Sequence, residues 1–175
     1  MDYSDLVKLE KQGKIAIGVD RAMARKFYTD IPVKKIREET GEAPYFEKII
    51  IWLAFLFAPI SLLVSIIIGF WAFNWWGIGS LIFCPIVYFI YSSYSVKGNS
   101  RMIGITILLF VSAYIYFFRV FDAPKITGFL TIFIFSLWCI RLLYSLSTLL
   151  LRIFVIRNEK AYQYLSQYLI IRSIE

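Results

Sequence analysis

The chain has 175 residues, of which 59% are hydrophobic and 19% aromatic, with a mean hydropathy of +0.69 and only 18% charged side chains. A soluble domain carries about a quarter charged residues, so this composition excludes an ordinary water-soluble fold. The net charge of +7 is unevenly placed: residues 1–48 hold ten of the 19 basic and nine of the 12 acidic groups, so the excess falls in the apolar remainder. That placement suits anionic lipid headgroups and argues against a nucleic-acid footprint, which clusters Lys and Arg on a solvated domain.

Histidine is absent. Its absence removes Ser-His and Cys-His nucleophiles, His-containing zinc sites and a histidine pH switch. Cys84 and Cys139 both fall in apolar runs and read as small core residues. Gly13-Lys14 lacks the upstream glycine and the following hydroxyl of a phosphate-binding loop. The sequence predicts no enzyme, no metal and no cofactor.

Residues 1–47 read as a cytoplasmic mixed-charge head with short helices. Ser4 or Asp5 suits the start of a helix carrying Leu6, Val7 and Leu9, and Ile15-Ala16-Ile17 between two glycines is strand-like. Asp20 is placed to cap a helix through Tyr28, while Pro32 opens a third that Gly41 stops. Met23, Phe27, Val33 and Ile36 either lie on lipid, with the neighbouring Lys and Arg at headgroups, or belong to a solvated tail packed on the membrane domain.

From Ile49 to Val96 no residue is charged, a run of 48 positions. One span needs about 20 apolar residues, so the run predicts two spans, about 49–72 and 77–95, with Phe73 to Gly79 as the turn. The run begins too late for a cleavable signal peptide, and the first span is expected to serve as the insertion signal. In span one Ala54, Ala58, Ser61, Ser65, Gly69 and Ala72 recur every three or four residues and share one face. Small faces let helix backbones approach where lipid offers no hydrophobic drive to associate. This one serves span two or a neighbouring subunit. Pro59 and Pro85 fall near mid-bilayer and predict kinks, as bends or as a gate.

Lys97 to Arg101 reads as a tight basic turn, span three covers about 102–118, and span four about 126–146. On span four Arg141, Ser145, Thr148 and Arg152 form one polar stripe at helical spacing. Either the arginines snorkel to anionic lipid, or the stripe lines a pore or meets a partner. Residues 151–175 read as an amphipathic cytoplasmic tail. Basic residues in the short segments place both termini in the cytoplasm, in a membrane expected to be a bacterial inner membrane. No Asp or Glu lies within the four spans, which counts against proton coupling.

The expected fold is an all-α integral membrane protein: four transmembrane helices as two short-turn hairpins, flanked by amphipathic cytoplasmic helices, with a membrane domain over 48–150. This layout is similar to that of several small four-span families, including holin-like proteins, immunity proteins against membrane-active toxins and membrane effectors of bacterial defence; no motif singles one out. The expected function is an interaction, accessory or regulatory subunit bound to a membrane protein or to further copies of itself. The alternative is a homo-oligomeric pore or permeabilising effector with the Arg141–Arg152 face toward the conduction path.

Overall fold

The computed structural model describes residues 3–97 and 102–173. In order the chain forms α1 (Tyr3–Lys11), β1 (Ile15–Val19), α2 (Arg21–Thr29), α3 (Val33–Thr40), α4 (Tyr45–Phe73), a 3-10 turn (Asn74–Gly77), α5 (Ile78–Lys97), α6 (Met102–Phe117), α7 (Pro124–Arg157), α8 (Glu159–Leu165), a second 3-10 turn (Ser166–Tyr168) and β2 (Leu169–Ser173). The expected turn at Lys97 to Arg101 falls on residues 98–101, outside the described residues. Two compact units result: residues 3–52 with 144–173, the terminal unit, and residues 53–143, the central unit.

Local rules build the terminal unit. The Asp20 carboxylate accepts the Met23 N–H at 2.8 Å and starts α2. Gly41 stops α3 because it takes the left-handed conformation, φ 78°, that a side chain resists. Pairing distant in sequence then decides the rest. β1 and β2 form an antiparallel ribbon with Ile17 opposite Ile171, and Gly18 lets the Ile170 carbonyl come within 3.3 Å of where a Cβ would stand.

The ribbon differs from the expected amphipathic tail. α7 continues to Arg157, α8 is a short separate helix, and residues 169–173 are extended. Leu169-Ile170-Ile171 is a short apolar run whose state is set by the available partner strand, since periodicity alone does not separate helix from strand over so few residues. Leu6, Ile17, Val19, Ala24, Phe27, Tyr28, Ile36, Leu151, Val155 and Leu165 are buried in this unit. Phe27 and Ile36 therefore face protein rather than lipid, and Phe27 stacks obliquely on Phe154 with ring centres 5.9 Å apart.

Three helices, α4, α5 and α7, are long and apolar enough to cross a membrane, the mark of an integral membrane protein. α4 starts four residues before the expected span, and α7 starts two residues before and runs eleven past it. At 1.5 Å per residue α7 is about 51 Å long and α4 about 43 Å, both exceeding a hydrocarbon core of about 30 Å. α6, at 16 residues, reaches about 24 Å and has no buried residue. It is held to α7 by polar contacts: Thr131 Oγ1 donates to the Ser112 carbonyl and the Trp138 indole to Thr106 Oγ1, each at 3.1 Å.

The core of the central unit is Leu62, Cys84, Phe129, Phe133 and Leu137. The first 3-10 turn brings α5 back so closely that a Cβ on Gly77 would stand 2.4 Å from the Phe70 Cα. Only glycine fits there.

Candidate functional site

The small-residue face of α4 lies inside the central unit. Ala58, Ser61, Ser65 and Gly69 are buried, and Ala54 and Ala72 at its ends are half-buried. A Cβ on Gly69 would come within 2.9 Å of both the Phe129 ring on α7 and the Ser80 Cβ on α5. The Ser61 hydroxyl donates to the Phe57 carbonyl at 2.7 Å, and Ser65 to Leu62 at 2.7 Å, so neither hydroxyl is left unsatisfied in an apolar surround. The face thus packs α4 against α5 and α7 of the same chain. Pro59, exposed, and Pro85, half-buried, lie inside helices that continue on both sides of them.

The polar residues of α7 occupy different surroundings. Arg141, in the central unit, is only 2% exposed and heads the fully buried side chains by volume. It is enclosed by protein rather than extended along the helix surface. Ser145 and Thr148, in the terminal unit, are half-buried, and Thr148 Oγ1 donates to the Tyr144 carbonyl one turn back. Arg152 pairs with Glu10 of α1 at 2.5 Å. Sequence spacing puts these four on one helix face; the fold buries Arg141, half-buries Ser145 and Thr148, and pairs Arg152 with Glu10.

Three residues that carry the terminal unit were not singled out by sequence reasoning. Asn158, 9% exposed, accepts the Ala161 N–H through Oδ1 at 3.0 Å and donates through Nδ2 to the Thr40 carbonyl at 3.0 Å. One amide thereby caps α8 and ties it to the end of α3. Glu10 is the second, and Tyr3, whose hydroxyl donates to the Ile156 carbonyl at 2.6 Å, the third. Burial, with the Glu159 carboxylate nearby, raises the Tyr3 pKa above its ordinary value. The available signal was weak: an Asn before Glu-Lys-Ala is a helix-start pattern, but nothing local points to residue 40.

Tyr28 is fully buried, and its hydroxyl has no hydrogen-bond partner among the described residues. Burial first, then the charge of Glu47, pushes its pKa strongly upward, so the phenol stays neutral. The Arg25 guanidinium, three residues earlier, lies over the Tyr144 ring at 5.9 Å. Among the described residues no group of three or more Cys, Asp or Glu side chains is placed to hold a metal.

Compared with known proteins, the chain matches no protein-family model, no curated protein and no solved structure.

Proposed function

We propose that this protein is a small polytopic membrane subunit that works by binding another membrane protein, anchored by four spans in two hairpins with the terminal unit on the cytoplasmic side. The observation that carries this reading is the terminal unit itself: segments from both ends of the chain, tied by the β1–β2 ribbon and by Asn158, form a separate buried core. An anchor alone needs no such body. Its α3 buries Ile36 and Thr40 and presents Lys34, Lys35, Arg37, Glu38 and Glu39, a mixed-charge face that sets register and specificity more than raw affinity. α6 enters as the fourth span; at 16 residues it crosses where the bilayer thins or neighbouring protein covers its ends.

The second reading is a homo-oligomeric pore, supported by a charged Arg141 buried on a helix long enough to cross a membrane. Against it, the Glu10 ion pair engages Arg152, and the buried small face leaves less of α4 for pairing between copies.

Native mass spectrometry of the full chain extracted in mild detergent separates the two. Co-purification with another membrane protein supports the subunit reading. A closed ring of four or more identical copies, together with liposome leakage that Arg141→Leu abolishes, overturns it in favour of the pore.

A further inference from the structure

Beside the turn that joins α4 to α5, the central unit holds an apolar crevice of about 170 Å³ between α4, α6 and α7. Ile68 and Trp71 of α4, Tyr116 of α6, and Lys125, Gly128 and Ile132 of α7 line it. Gly128 keeps it open on one side, since a Cβ there would meet the Tyr116 ring at 3.2 Å. An apolar cavity of about 150 Å³ accommodates a benzene-sized group, so this one takes several methylenes of a hydrocarbon chain.

Its mouth carries one cation. The Lys125 ammonium stands over the Trp71 ring, 4.3 Å from its centre, and no carboxylate among the described residues pairs with it. Trp71, Lys125 and Tyr116 are all exposed, so mouth and crevice are open to the surroundings of the unit. The same flank exposes Phe117, Phe118, Val120 and Phe121 together with Arg119 and Asp122, and no ion pair joins Asp122 to Lys125, so two cations face one carboxylate in a composition typical of a membrane–water interface. A ligand complementary to this site has an apolar tail and a negative head.

We infer that the crevice binds one anionic membrane phospholipid, with an acyl chain against Ile68, Gly128 and Ile132 and the phosphate at Lys125. Charge complementarity selects the occupant. A net-neutral lipid sets a cation beside its phosphate and cancels much of the attraction to Lys125, whereas a lipid of net negative charge keeps it, and the abundant tail-bearing anion of a membrane is phospholipid. The aromatic face of Trp71 holds the lysine extended over the mouth, where it meets a phosphate without further ordering. This inference is independent of the partner-binding reading, because it concerns the central unit alone.

The test is a lipid titration of the delipidated full-length protein, followed by native mass spectrometry with dioleoyl phosphatidylglycerol and dioleoyl phosphatidylcholine as probes. One phosphatidylglycerol is expected to bind about fivefold more tightly than phosphatidylcholine, the factor equivalent to about 1 kcal/mol for one lysine near an anionic headgroup. Lys125→Glu should erase that preference, and Ile132→Trp, which fills the crevice, should remove the tight binding of either lipid. Lys14→Glu, an exposed lysine just before β1, should change nothing. Should Ile132→Trp not fold, Gly128→Ala reads the same wall with one added methyl. Equal affinity of the wild type for the two lipids, or a preference that survives Lys125→Glu, overturns the proposal.

Discussion

Asn158→Ala should be among the most damaging single polar substitutions in the terminal unit. The amide makes two bonds of 3.0 Å from a site only 9% exposed, one to the Ala161 N–H and one to the Thr40 carbonyl. Losing the helix cap costs about 0.5–2 kcal/mol. Leaving the buried Thr40 carbonyl without its donor adds about 1–3 kcal/mol. The two effects share one side chain and are not fully additive, so about 2–4 kcal/mol is the expected loss.

A small domain has only about 5–15 kcal/mol in all, which makes this a large fraction. Hydrogen exchange on α8, β1 and β2 reads the effect locally, without unfolding the membrane helices. At about 1.4 kcal/mol per decade, protection there should fall by roughly two orders of magnitude. Asn158→Asp keeps the cap acceptor and lacks the donor, so it should fall short of wild type while placing a carboxylate against a carbonyl. Asp20→Ala serves as the comparison: its bond to Met23 is solvent-exposed, and about 1 kcal/mol is expected. If Asn158→Ala costs no more than Asp20→Ala, the idea that one amide locks α3 to α8 is wrong.

Glycine substitutions should separate by what they meet. Gly77→Ala runs into the Phe70 backbone and Gly69→Ala into the Phe129 ring and Ser80, whereas Gly79→Ala meets nothing within 4 Å. Thermal unfolding in detergent should show the first worst, the second lower by about 1–3 kcal/mol and the third near wild type. Tyr28→Phe removes a buried hydroxyl that has no partner among the described residues, so it should be neutral or stabilising by about 1 kcal/mol. The sign of its pH effect follows from the raised pKa. The folded state holds the neutral phenol and the unfolded chain ionises near pH 10, so stability is full below about pH 10 and falls above it. Melting curves at pH 8 and pH 10.5 should differ less for Tyr28→Phe than for wild type. The Glu10–Arg152 pair, with Arg152 41% exposed, should give a coupling of no more than about 1 kcal/mol in a double-mutant cycle, shrinking in high salt.

What the sequence determined by itself is the partition of the chain between lipid and water. Hydropathy is additive along the chain, and a bilayer imposes a length on every apolar run, so the apolar stretches over about 49–72, 77–95 and 126–146 were legible as helices before any fold was known, while the extension of α7 to Arg157 was not. The caps at Asp20 and Gly41 were legible for a related reason: each satisfies backbone groups within three or four residues of itself.

The partners of these elements were settled only by the tertiary structure. Residues 169–173 become a strand because residues 15–19 lie alongside, some 150 positions away, and no local pattern records that pairing. In sequence the α4 small face suits a neighbouring chain or its own; in the fold its Gly69 meets Phe129 and Ser80 of the same chain. On α7, four residues at helical spacing formed one stripe in sequence, yet Arg141 is enclosed in the central unit while Arg152 meets Glu10. Spacing along a helix fixes which side a residue faces, and the contents of that side depend on chain brought from elsewhere.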